Sequence, residues 1–145
     1  MENILDLCNA IGNSYFALRR AMNDGLQKGA TRTLTYDDSQ VLLALEDNKS
    51  LLVQDIAHII DSSLPVTSRF IKRLEEKGFI VKKRGITDSR ERVITLTESG
   101  RTACIEIRQT IETVLGACFL PLSAIERQEL ARMLQEIRRN SEALK

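Results

Sequence analysis

Tryptophan is absent from this chain, aromatic residues make up only 4% of it, and it holds one histidine, His58. With so few rings to bury, the core must come from Leu, Ile and Ala, residues that suit helices. A single histidine cannot by itself build a metal site, so none is expected at His58, and no cofactor is expected. The three cysteines, Cys8, Cys104 and Cys118, are odd in number and widely spaced, so neither a disulfide framework nor a thiolate metal cluster is readable. Their usage points to a reducing cytoplasm. There is no run of 18 apolar residues and no basic-then-apolar N-terminus, which excludes a helical membrane span and a secretory signal. A nucleophile–base pair, a phosphate loop and a ligand cluster are all missing, and an enzyme is not expected.

What is present is 43% hydrophobic residues in 145, enough for one compact domain or one protomer of an oligomer. The net charge of +1 carries no message, but its distribution does. Residues 1–61 hold 5 basic and 9 acidic groups, residues 62–101 hold 10 and 5, and residues 102–145 hold 6 and 6. A basic island of forty residues inside a neutral-to-acidic chain is the electrostatic footprint of nucleic-acid binding, although a charge run alone is more often a solvated face.

Periodicity orders the elements. Ile4, Leu7, Ile11, Tyr15, Leu18, Met22 and Leu26 recur in steps of 3 and 4, which predicts one long amphipathic helix over 2–28. Asp37 and Asp38 suit the first turn of a second helix that ends near Glu46, followed by the polar connector "EDNKS". A short helix is expected over "LVQDIAHII". Ser62 or Ser63 can cap the next, with Pro65 tolerated in its first turn and Gly78 as its stop. Val66, Phe70, Ile71 and Leu74 are its expected buried stripe. "FIVKKR" and "RVITL" read as two strands flanking a polar tip that contains Arg90 and Arg92. Thr97 caps a further helix with Ala103, Ile107, Ile111, Val114 and Leu115 on its apolar side. Pro121 interrupts, and Ser123 with Glu126 forms a capping box for a last helix. The expected fold is mainly α: a helix-turn-helix, a β-hairpin wing, and long outer helices whose apolar stripes a single protomer cannot cover.

The stretch "SSLPVTSRFIKRLEEKGFIVKKRGITDSRERVITLTESGR" resembles the recognition helix and wing of the MarR family of bacterial transcription regulators. The Asp-x-Arg of the wing, Asp88 and Arg90, followed by a strand and "LTESG", is the most specific part. "PLSAIERQELARML" resembles the start of that family's last helix. The resemblance implies a cytoplasmic homodimeric DNA-binding repressor with dimerisation helices in 1–34 and 102–145 around a winged helix-turn-helix in 35–101. It implies a pseudo-palindromic double-stranded operator, and release by a small aromatic ligand.

Helix-turn-helix docking places Ser62, Ser63, Pro65, Val66, Thr67 and Arg69 at base edges, Arg69 with the fork that suits guanine, while Lys72 and Arg73 lie one turn further, on phosphates. Arg90 matches the arginine that enters the minor groove, with Asp88 holding it by a charge-assisted hydrogen bond. Arg92 reaches a phosphate or faces solvent. An effector pocket between the winged domain and the dimer helices would be lined by Tyr15, Phe16, Tyr36 and His58. Oxidant-sensing members of the family keep a reactive cysteine in the first helix, approached by tyrosines. Cys8 has Tyr15 and Tyr36 available for that role, yet it shares a stripe with Leu7 and Ile11, which points to burial in a dimer interface. A winged helix used for protein contacts is the reading of a different class, and the basic island counts against it.

Overall fold

The computed structural model describes residues 3–144. The elements run α1 (Ile4–Gly25), a 3-10 turn (Gly29–Thr31), α2 (Tyr36–Asn48), β1 (Leu51–Leu52), α3 (Val53–Ile59), α4 (Leu64–Glu76), β2 (Ile80–Arg84), β3 (Arg92–Leu96), α5 (Glu98–Thr110), a π-helical stretch (Ile111–Leu115), α6 (Gly116–Phe119) and α7 (Ala124–Glu142). This is the expected mainly helical, winged helix-turn-helix order. Among the described residues, no helix is long and apolar enough to cross a membrane.

Local chemistry accounts for most of the boundaries. Asn3, Thr35, Ser63, Thr97 and Ser123 each cap a helix with a side-chain oxygen that accepts an orphan backbone N–H. Gly78 ends α4 in the left-handed region (φ 84), and the Gly78 and Phe79 N–H groups close back onto Glu75 and Leu74 at 2.9 and 3.2 Å. The same corner fixes α5. The Thr97 hydroxyl donates to the Gly78 carbonyl at 2.6 Å, and a Cβ on Gly100 would stand 2.2 Å from the Phe79 carbonyl oxygen. Only glycine lets the start of α5 sit this close to the strand that leaves the recognition helix.

Four expectations need correction. The sheet has three strands, not two: Leu51 and Leu52 pair antiparallel with Ile94 and Val93, while β2 pairs with the other edge of β3. Two residues are too short to show strand alternation, so nothing local announces β1. The second helix runs past Glu46 to Asn48, whose amide donates back to the Ala44 carbonyl at 2.7 Å. The helix after Thr97 relaxes into a π-helical stretch packed against α1. On α4 the buried face is Thr67, Ile71 and Leu74. Val66 is exposed and Phe70 only half-buried. Capping at Ser63 sets the phase of the helix, and Thr67 accepts burial because its hydroxyl donates to the Ser63 carbonyl at 2.8 Å.

One core joins the segments. Met22 of α1, Leu26 just past its end, Leu34 ahead of α2, Val41, Leu42 and Leu45 of α2, Ile56, Ile71, Leu74, Phe79, Ile80, Ile94, and Ala103, Cys104 and Ile107 of α5 form a single buried cluster. It spans both expected segment boundaries, and residue 101 lies inside α5. The outer helices differ. In α1 only Met22 is buried, and α7 has no buried residue. Ile4, Leu5, Leu7, Ile11 and Phe16 of α1, and Ile125, Met133, Leu134 and Ile137 of α7, stand exposed.

Cys104 is inert in this core. Burial, reinforced by the Glu46 carboxylate, pushes its thiol up to about 12. Because the folded thiol keeps its proton above the ordinary value of 9.0, the stability it contributes is complete below pH 9 and is lost as pH rises towards about 12. Iodoacetamide at neutral pH should therefore modify Cys104 only at the rate of global unfolding. Peptide mass spectrometry that found it alkylated as fast as a cysteine in an unstructured peptide would contradict this packing.

Candidate nucleic-acid interface

α4 is held from behind by one buried carboxylate. Asp38, third residue of α2, is fully buried, and its two oxygens are divided between two tasks. Oδ2 accepts the Thr35 N–H at 2.8 Å while the Thr35 hydroxyl accepts the Asp38 N–H at 3.4 Å, a reciprocal capping box. Oδ1 accepts from the Arg73 guanidinium at 2.6 Å, across 35 positions of sequence. Arg73 also lies over the Phe70 ring, 5.1 Å from its centroid. The structure thus corrects the expectation for Arg73: its guanidinium faces α2 and anchors the recognition helix, so it is not the free phosphate ligand expected. Thr67 is corrected too, being fully buried with its hydroxyl satisfied internally.

The neighbouring residue repeats the device towards α1. Asp37 takes both terminal nitrogens of Arg19, at 3.2 and 2.7 Å, and Arg19 also donates to the Tyr15 hydroxyl at 3.2 Å. The Tyr15 and Asp37 partners raise the Arg19 pKa. Tyr15 stacks edge-on to Tyr36 (6.4 Å) and tilts against Phe16 (5.7 Å). Burial pushes the Tyr36 hydroxyl above its usual pKa. Three of the four residues expected to line a pocket therefore meet. His58 does not: α3 packs against α4, α2 and β1, and His58 sits on its exposed side. The apolar groove nearby, about 430 Å³, runs instead between α1 and the C-terminal helices, with Ile11, Tyr15, Leu18, Phe119, Leu130 and Leu134 in its walls. Cys8 is exposed on α1.

The outward side of α4 carries Pro65, Val66, Ser68, Arg69 and Lys72, all exposed, and no acidic residue stands in its first turn. Ser63 is the cap, while the Ser62 hydroxyl donates to the Ile60 carbonyl at 3.4 Å. The wing follows with Lys82, Lys83 and Arg84 on β2. Its tip is closed by Gly85 N–H to the Glu91 carbonyl and Glu91 N–H to the Asp88 carbonyl, each 3.1 Å. Asp88 accepts the backbone N–H of Arg90 at 2.9 Å, whereas its contact with the Arg90 guanidinium is a looser 3.5 Å. So Asp88 shapes the turn in the manner of an Asx-turn and points Arg90 outward more than it grips the side chain, which differs from the expected charge-assisted bond. The Arg90 side chain is 93% exposed. Arg92 is folded back, donating to the Ser89 and Glu91 carbonyls at 3.0 and 3.2 Å, and so braces the loop.

The family model for the transcriptional regulator SarA/Rot matches residues 29–107, more than half of the chain and all of this surface. The chain belongs to the SarA/Rot family of transcriptional regulators. It is a DNA-binding regulator and not an enzyme. Similar proteins include the HTH-type transcriptional regulator SarZ of Staphylococcus haemolyticus, 27% identical over 110 residues, 74% of this chain and 72% of that protein. The fold is that of the MarR-type winged helix. A mutant MarR from E. coli complexed with operator DNA superposes with a TM-score of 0.82 at 20% identity, over 92% of this chain and 94% of that one. The transcriptional regulator SlyA superposes with a TM-score of 0.83 at 26% identity, over 97% and 99%.

Sequence reasoning passed over Asp38, Asp37 and Arg19 as a framework, although "TYDD" carries the Thr-x-x-Asp pattern of a capping box. It also left out Leu64, exposed at the head of α4. Replacing Asp38 removes a cap and a charge-assisted hydrogen bond at a buried site. Asp38→Ala should lower stability by about 2–4 kcal/mol, read as a drop in the urea midpoint. Arg90→Ala, on an exposed turn, should change it by no more than about 0.5 kcal/mol. Equal midpoints for wild type and Asp38→Ala would show that the carboxylate does not support α4.

Proposed function

We propose that this regulator is a homodimeric repressor. Two copies associate through the exposed apolar faces of α1 and α7, helices drawn from the segments 1–34 and 102–145. Each copy lays the start of α4 in a major groove and Arg90 of the wing in the adjacent minor groove of a pseudo-palindromic operator, occluding a promoter. The observation that carries this reading is the fully presented Arg90, at the apex of a hairpin that is tied to the recognition helix: the Lys82 N–H, midway along β2, donates to the Glu75 carboxylate at 3.2 Å. A narrow minor groove concentrates negative potential and draws such an arginine in. Arg69 is positioned for a guanine edge and Lys72 for phosphate, with Ser62, Ser63, Pro65 and Val66 at the groove floor. Arg73, Thr67 and Arg92 act behind this surface.

Dimerisation is supported by the apolar residues that the single chain leaves uncovered, an exposure that costs free energy in a monomer. Cys8 falls on the same face as Leu7 and Ile11, and in the dimer it packs there; this arrangement supports a structural cysteine over an oxidant sensor. Release is assigned to a small aromatic ligand seated against Tyr15, Phe16 and Tyr36, without His58. Such a ligand would disturb the Tyr15–Arg19–Asp37 contacts, and Asp37 adjoins the carboxylate that holds Arg73. Movement there changes the spacing of the two recognition helices.

Light scattering at micromolar concentration should return twice the chain mass of 16.4 kDa. A value near that of one chain removes the dimer. If each dimer neutralises roughly 6–10 phosphates, affinity should fall about 10³- to 10⁵-fold between 50 and 200 mM salt. At fixed salt, Arg90→Ala should cost about 1.5–3 kcal/mol per protomer. Asp88→Ala should weaken binding less, although it removes a negative charge near DNA. Tighter binding by Asp88→Ala would refute its orienting role, and unchanged binding by Arg90→Ala would leave the wing a solvated turn.

A further inference from the structure

The first turn of α4 is apolar where a DNA-reading helix needs polar groups. Leu64 is 56% exposed and Val66 42%, with Pro65 exposed between them. The hydroxyls around them each make a bond within the chain. The Ser63 hydroxyl accepts the Val66 N–H at 3.4 Å, the Ser62 hydroxyl donates to the Ile60 carbonyl, and the Thr67 hydroxyl is buried against the Ser63 carbonyl. Ser68 and Arg69, at the start of the second turn, are the first exposed polar side chains beyond the cap.

Such a turn discriminates among base pairs in one way. In the major groove G and C present hydrogen-bonding atoms, A does the same, and only T adds an apolar group, the 5-methyl. An apolar side chain pressed against a G, C or A edge desolvates polar atoms without replacing their bonds, which is unfavourable. Pressed against the thymine methyl, it removes apolar surface from water on both sides. The surrounding charge selects DNA over an apolar protein partner: Arg69 and Lys72 follow on the same helix, and no acidic residue stands in its first turn.

We infer that α4 reads thymine through its 5-methyl group, using Leu64, Pro65 and Val66, so that each operator half-site places thymines under the first turn of the helix. The inference rests on the proposed docking of α4 in the major groove. It assigns Leu64 a role in base selection and takes that role away from Thr67.

The test uses duplexes that the full-length protein selects from a random library. The selected sequence is resynthesised with deoxyuridine in place of thymidine in both half-sites, which deletes only the methyl groups. Wild type should bind the uracil duplex about 4-fold more weakly for each methyl contacted, the worth of one buried methyl-sized group. The Leu64→Ala/Val66→Ala double variant should bind the thymine duplex more weakly than wild type and bind the two duplexes alike. Both residues are exposed, so its melting temperature should match that of wild type. Equal binding of the two duplexes by wild type overturns the inference, and so does a double variant that keeps the full thymine preference. Selection that returns no preferred sequence removes the sequence-specific reading and the inference with it. Strong salt-dependent, sequence-selective binding that ignores the methyl groups removes the inference alone.

Discussion

A single buried carboxylate decides how the reading surface is presented. Asp38 has no contact with water, so both oxygens must find donors inside the protein. One is supplied by the start of its own helix and the other by the side chain of Arg73 on α4. The arginine is 45% exposed, so the pair avoids most of the cost of burying a second charge. What it contributes is orientation. The recognition helix is clamped at its C-terminal half, and its first two turns are left free to meet a partner.

The same few residues bind three parts of the molecule. Asp37 and Asp38 are adjacent on α2, yet one reaches Arg19 on α1 and the other Arg73 on α4. Successive helical positions point about 100° apart, and this lets neighbouring carboxylates serve different helices. A shift of α1 against α2 thereby has a short physical path to the recognition helix. Within the wing β2 pairs with β3, and β3 is anchored in the core through Ile94.

The outer helices carry the reverse message. A chain that buries Met22, Leu26 and Ile107 completely leaves Ile4, Leu5, Ile125 and Ile137 uncovered. Periodic apolar residues in both α1 and α7 have the pattern of core helices without a core to face. These uncovered faces are what support the proposed association of two copies.

The sequence by itself determined what depends on near neighbours. Helical period, the caps at Ser63, Thr97 and Ser123, the stop at Gly78, the two wing strands and the basic island were all readable, because each rests on contacts within a few residues. The wing motif around Asp88 and Arg90 was legible for the same reason. Tertiary structure decided whatever needs a distant partner. It gave β1 its place beside β3, buried Thr67 while exposing Val66, and turned Arg73 inward to a carboxylate on another helix. An arginine in a basic helix looks the same in sequence whether it meets a phosphate or an aspartate. Only packing, which brings Asp38 within 2.6 Å of Arg73, distinguishes the two.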